Sequence, residues 1–190
     1  MKPKRPAKQV ILALSAILAV VIAVAGGFRY SHLNRLYPSP QIVRAAVGET
    51  LTVNNEIRVS AENLRVYEPD ELYDAFDIPE HEIEFWHESR LRVRYLAVDM
   101  EITNDALESG WILPKYWFHL RTGNWESSSS PFSDAVNPEY QQPGIGETAR
   151  YTMIFIMAYE RGTKKMWDNI ENEDFELSSI YYPYTYRWQL

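Results

Sequence analysis

The residues best equipped for chemistry in this chain are its acids. Glu68, Asp70, Glu71, Asp74, Asp77, Glu80, Glu82, Glu84 and Glu88 fall between Tyr67 and Ser89, with no Lys or Arg among them. Calcium takes about six to eight oxygen ligands, so such a run could hold it. No Asp-x-Asp-x-Asp-Gly spacing occurs, however, and the run reads as a solvated insertion over 67–90. The second run, Asp168, Asn169, Glu171, Asn172, Glu173 and Asp174, reads the same way. His81 and His87 bracket Glu82, Glu84 and Trp86, but a six-residue gap suits neither one helix face nor one strand pair, so zinc is not expected. His119 beside Trp117 is expected on a surface or in a groove. No Gly-x-Ser-x-Gly, His-Glu-x-x-His or phosphate loop is present, and Ser127 to Ser130 reads as a flexible tetraserine. The acids offer no pair singled out for glycoside hydrolysis. These residues predict no enzyme, no catalytic residue, no metal and no cofactor.

The aromatics point instead to binding. Tyr182, Tyr184, Tyr186 and Trp188 occupy alternate positions and so share one face of a strand, with Tyr181 and Pro183 opposite. Displayed, this face would stack on sugars or anchor a protein partner. Turned inward, it would be the core face of the last strand. At least two of the four are expected in the core, and Trp188, near the chain end, is the one expected at the surface. Trp111, Trp117 and Trp125 could form a second patch.

These side chains must be positioned by strands. From Ile42 onward the dominant hydrophobic period is two. Ile57, Val59 and Ala61 alternate with Arg58, Ser60 and Glu62, then Leu64 and Val66 continue in shifted phase, which predicts a bulge near Glu62-Asn63. In the segment Leu91 to Thr103, Leu96, Val98, Met100 and Ile102 share one face. Further strands are predicted over Thr50 to Val53, Lys115 to Arg121, Glu147 to Met157, Phe175 to Ile180 and Tyr182 to Trp188. About seven strands fit an immunoglobulin-like antiparallel β-sandwich, making the fold class mostly β. Its core should include Val98, Met100, Ile102, Phe118, Leu120 and Phe155. Helix is expected only as a turn or two at Asp70 to Phe76 and at Lys164 to Ile170.

The N-terminus is different. Val10 to Gly27 is apolar except for Ser15, long enough at about 1.5 Å per residue to cross a bilayer. Lys2, Lys4, Arg5 and Lys8 precede it and only Arg29 follows closely, so the positive-inside rule puts the N-terminus in the cytoplasm. The expected organisation is a basic cytoplasmic tail at 1–9, an anchor at 10–28, a juxtamembrane linker at 29–41 and an extracellular sandwich at 42–190. A cleaved signal peptide is the rival reading, with Ala23-Val24-Ala25 as the cleavage motif.

Composition narrows the partners. Of the 190 residues, 46% are hydrophobic and 14% aromatic, enough for a sizeable core. The net charge of -7 hides an asymmetry: Met1 to Tyr30 holds five of the 19 bases and no acid, leaving 14 bases against 26 acids, a balance of -12, in the remainder. So acidic a domain repels nucleic acid and anionic lipid surfaces. The absence of cysteine excludes disulfides, thiol chemistry and a lipidated N-terminal Cys.

Three stretches carry a family resemblance. They are Val47-Gly48-Glu49-Thr50, then Tyr95-Leu96-Ala97-Val98-Asp99-Met100-Glu101-Ile102-Thr103-Asn104, then Gln142-Pro143-Gly144 followed by Gly146-Glu147-Thr148 and an apolar strand through Phe155. Together they resemble the membrane-anchored immunoglobulin-like ectodomains of Gram-positive bacteria, of the telokin-like or immunoprotective extracellular type. The resemblance implies an N-terminal anchor and a single sandwich, and no chemistry, since that group has no agreed activity. The expectation is thus a non-catalytic cell-surface binding module, monomeric outside the membrane. Its partner would be an extracellular protein or a cell-wall glycan, with the membrane held through the helix. The alternative is an auxiliary subunit of a transporter or secretion complex, to which Ala19, Ala23 and Gly27 on one helix face would be suited.

Overall fold

The structure, a computed structural model, describes residues 7–78, 92–108, 114–159, 164–180 and 183–190. The chain divides into two units, Met1–Pro40 and Gln41–Leu190.

The first unit is one helix, α1 (Ala7–Leu36). It runs past the expected end of the anchor, so the segment from Arg29 to Leu36 is helix rather than linker. Gly26 and Gly27 cost about 1 kcal/mol each in an ordinary helix, yet do not break it. Pro38 does, because it pushes Tyr37 out of the helical region. The last bond runs from the Tyr37 N–H to the Leu33 carbonyl at 2.8 Å. Ile11–Leu36 is long and apolar enough to cross a membrane, with a mean hydropathy of 2.7, and none of it is buried.

The second unit is a two-sheet sandwich. Nine strands occur among the described residues: β1 (Gln41–Ala45), β2 (Leu51–Val53), β3 (Ile57–Tyr67), β4 (Val93–Asn104), β5 (Phe118–Thr122), β6 (Trp125–Ser128), β7 (Thr148–Ala158), β8 (Glu176–Ser179) and β9 (Tyr184–Gln189). The five-stranded sheet has the order β1-β9-β8-β5-β6 and the four-stranded sheet β2-β3-β4-β7. All pairs are antiparallel except β1 with β9, which is parallel. The count exceeds about seven because β1 and β6 are short and mixed in composition. Gln41 pairs with Tyr184, inside the span expected to be linker.

The tetraserine is not a flexible loop. Ser127 and Ser128 belong to β6, Ser129 bridges to Phe155, and Ser130 is buried. Small hydroxyl side chains fit where the two sheets approach, because they can bond nearby backbone as well as fill space.

In β3 the pairing register with β4 shifts between Glu62 and Arg65, and Asn63 takes φ 49°. Asn tolerates that left-handed conformation, and the extra residue re-phases the strand as Leu64 and Val66 require. Between the sheets lies a core that contains Val98, Met100, Ile102, Phe118, Leu120 and Phe155. A second cluster lies on the opposite face of β4 and β7, where Leu72, Ile78 and Phe132 cover Tyr95, Ala97 and Ile154. β4 is therefore buried on both faces near its start, and not on one face only. Leu72 comes from α2 (Pro69–Phe76), which begins with a Glu68/Glu71 capping box and a proline in its first turn and ends at left-handed Asp77.

β7 is an edge strand, and unpaired edges invite pairing with other chains. Side chains from the short helix Phe132–Ala135 and the turn after it cover this edge. The Thr152 N–H donates to Asn137 Oδ1 at 2.8 Å, and Asn137 Nδ2 donates to the Thr152 carbonyl at 2.7 Å. The Ile154 N–H donates to Ser133 Oγ at 2.9 Å, and the Ser130 N–H to the Ile154 carbonyl at 2.7 Å. Asn137→Ala should cost about 1–3 kcal/mol, since it strands two backbone groups. Arg150→Ala on the same strand, 88% exposed at its side chain, should stay within about 0.5 kcal/mol. Urea midpoints of both variants check this; equal midpoints would contradict the role given to Asn137.

Candidate functional site

The aromatic face of the last strand is divided. Tyr182 lies outside the described residues. Tyr184 is exposed, Tyr186 is buried, and Trp188 is fully buried. Trp188 corrects the expectation that it sits at the surface. β9 is flanked by β1 and β8, so nearness to the chain end does not place it at an edge. The Trp188 ring meets Phe118 edge-on at 5.7 Å, and its Nε1–H donates to the Glu49 carbonyl at 3.0 Å. The Tyr186 hydroxyl accepts the Asn54 N–H at 3.2 Å. The tryptophans form no second patch among the described residues: Trp125 is core, Trp117 packs against the core, and Trp111 lies outside them.

The acids mostly serve structure. Glu68 pairs with Arg94 at 2.7 Å, and Glu71 Oε2 accepts the Glu68 N–H at 3.0 Å. Glu80, His81, Glu82, Glu84, His87 and Glu88 lie outside the described residues. Among those described, no three His, Asp or Glu side chains come together as metal ligands.

Three phenols are displaced upward from their ordinary range, Tyr95 among them chiefly by burial. Burial pushes Tyr140 up to about 12, and burial with Asp134 alongside pushes Tyr151 up further. All three stay protonated near neutral pH. Lys115 is held above its usual range chiefly by its hydrogen bond to Asp134.

A cleft of about 440 Å³ opens on the outer face of the four-stranded sheet, beside the β3 bulge. Asp99 lies in it and accepts from Arg65 at 2.6 Å, Thr152 Oγ1 at 2.9 Å and Asn63 Nδ2 at 3.4 Å. A carboxylate so engaged is a fixed acceptor that locks the bulge to β4 and β7.

The less satisfied arrangement is on the outer face of the five-stranded sheet. Alternation puts Thr185, Arg187 and Gln189 on the face of β9 opposite Tyr186 and Trp188. Register then aligns two rows. Arg44 on β1 lies beside Arg187, which lies beside Ser178, which lies beside His119. In the next row Gln189 lies beside Glu176, Glu176 beside Arg121, and Arg121 beside Glu126. Glu176 faces three guanidiniums: Arg187 Nη1 at 3.3 Å, Arg121 Nε at 3.8 Å and Arg44 Nε at 3.9 Å. Only the first is within hydrogen-bond distance. Glu126 is engaged by His119 Nδ1 at 2.8 Å. Arg187 Nε is buried and has no acceptor among the described residues.

None of Arg44, Arg121, Glu176 and Arg187 was singled out by sequence. The one available signal was that residues alternating with an aromatic stripe belong to its opposite face. This array can bind an anion through planar guanidinium forks; it holds no nucleophile and base in partnership.

No family model matches the chain, and no curated protein matches it. Two solved structures are similar to it. One is an uncharacterised β-sandwich protein from Clostridium difficile 630, 12% identical, covering 80% of this chain and 96% of that one, with a TM-score of 0.44. The other is a candidate lipoprotein from Staphylococcus aureus subsp. aureus NCTC 8325, 13% identical, covering 77% of this chain and 90% of that one, with a TM-score of 0.46. Neither match, at that identity and TM-score, carries the chain into a family. On its own sheet topology, the chain is a mostly β protein, a two-sheet sandwich preceded by one apolar helix.

Proposed function

We propose that this chain is a single-pass membrane protein with its N-terminus in the cytoplasm, holding a non-catalytic immunoglobulin-type sandwich outside the cell as a binding module. The observation that carries the reading is α1, whose stretch Ile11–Leu36 is long and apolar enough to cross a membrane. An apolar helix of that length needs a lipid environment. The flank of Lys2, Lys4, Arg5 and Lys8 before it, against Arg29 alone close behind it, supports the direction.

The connectivity supports the immunoglobulin-type assignment and, with it, kinship to the telokin-like ectodomains. The neighbours β3-β4-β7 correspond to strands A, B and E, and β9-β8-β5-β6 to strands G, F, C and C′. The binding role draws on the arginine array, where the three guanidiniums of Arg44, Arg121 and Arg187 outnumber the carboxylates of Glu176 and Glu126.

Protease added to intact bacterial cells expressing the full chain should remove the sandwich and leave a short membrane-protected N-terminal fragment. Protection of the whole chain would reverse the orientation. A mature N-terminus at Gly26, found by mass spectrometry, would replace the tether with a cleaved signal.

A further inference from the structure

We propose that the outer face of the five-stranded sheet binds a phosphoryl group, carried by a soluble or polymer-borne ligand outside the cell and held by Arg44, Arg121 and Arg187. The inference rests on the binding-module reading and gives it a ligand class.

The first argument is register. Arg44 and Arg187 are Cα partners on neighbouring strands. Like charges side by side on a sheet cost energy unless an anion lies between or beside them. Glu176 supplies one carboxylate for these two and for Arg121, and bonds only Arg187 at hydrogen-bond distance. Glu126, the next acid on this face, is engaged by His119.

The second argument is desolvation. Arg187 Nε is buried with no acceptor among the described residues, and buried donors nearly always have one. The guanidinium of Arg187 is thus incompletely satisfied by the protein, with Nη1 on Glu176 at 3.3 Å as its side-chain partner among the described residues.

The third argument is shape and charge. The three guanidiniums come from β1, β5 and β9 and surround Glu176 on β8, at 3.9, 3.8 and 3.3 Å for Arg44, Arg121 and Arg187. A carboxylate presents two coplanar oxygens, and Glu176 already fills that role. A tetrahedral oxyanion presents oxygens along separate directions and accepts from several forks at once. Three arginines against Glu176 and Glu126 leave one positive charge, and a phosphate monoester brings about -1.5 to -2.

The test uses the full-length chain in phosphatidylcholine nanodiscs in a chloride buffer, titrated calorimetrically with inorganic phosphate and with glycerol phosphate. Both should bind saturably. Arg187→Lys keeps the charge but loses the fork and the Nε donor, and should weaken binding about tenfold or more. Glu176→Gln removes the competing carboxylate and should strengthen it. Acetate should not displace phosphate, and nanodiscs containing phosphatidylglycerol should leave the affinity for phosphate unchanged.

No binding, or binding that Arg187→Lys leaves intact, overturns the proposal and makes the array a structural ion network. Displacement by acetate overturns the tetrahedral assignment, and competition by phosphatidylglycerol moves the site to lipid. None of these outcomes touches the protease-accessibility result, on which the tether reading stands separately.

Discussion

Met100→Asp should unfold the sandwich. Met100 lies on β4 in the middle of the four-stranded sheet, opposite Ala61 on one side and Tyr151 on the other, with its side chain in the core between the sheets. It is 2% exposed. A carboxylate placed there loses its hydration and gains no partner, at a cost of several kcal/mol. Domains of this kind have about 5–15 kcal/mol in all, so the cooperative transition should disappear or move far down in temperature. Met100→Leu keeps volume and polarity, and should cost less than about 1.5 kcal/mol. Far-UV circular dichroism melts of both variants decide the matter. An aspartate variant that melts like the parent would remove Met100 from the core.

Trp188→Ala should cost about 3–5 kcal/mol, the range for large aromatics removed from interiors. It deletes the edge-on contact with Phe118 and leaves the Glu49 carbonyl without its indole donor. Tyr184→Ala, on the same strand and nominally the same face, should cost about 1 kcal/mol or less, because Tyr184 is 40% exposed and its ring meets that of Tyr186 at 6.3 Å. Denaturant midpoints of the two variants, read by tryptophan and tyrosine fluorescence, give the comparison. A larger loss at Tyr184 than at Trp188 would reverse the burial order along β9.

The contrast between those two residues shows where sequence reading stops. Alternation in Tyr182-Pro183-Tyr184-Thr185-Tyr186-Arg187-Trp188 says that two faces exist. It does not rank the residues along one face, because tyrosine and tryptophan suit both a core and a surface. Only the neighbours decide. β1 on one side of β9 and β8 on the other enclose Trp188, whereas Tyr184 sits where the strand begins, next to Pro183.

Much else was legible because its cause is local. The apolar run of α1 declares itself by length and composition. The period-two face of β4 located Val98, Met100 and Ile102 in the core, and the phase change in β3 located the bulge at Glu62-Asn63. What escaped depends on distant partners. β1 and β6 are too short to show a period, and they are strands because β9 and β5 pair with them. The second cluster escaped because Leu72 and Phe132 cover β4 from segments far along the chain.

By itself, then, the sequence determined an apolar helix ahead of an acidic, mostly β domain with its principal core strands, since hydrophobic period and charge balance act residue by residue. The tertiary structure alone decided that Arg44, Arg121, Glu176 and Arg187 meet. Their convergence comes from strand order and register across β1, β9, β8 and β5, and register is set by which faces the two sheets bury against each other.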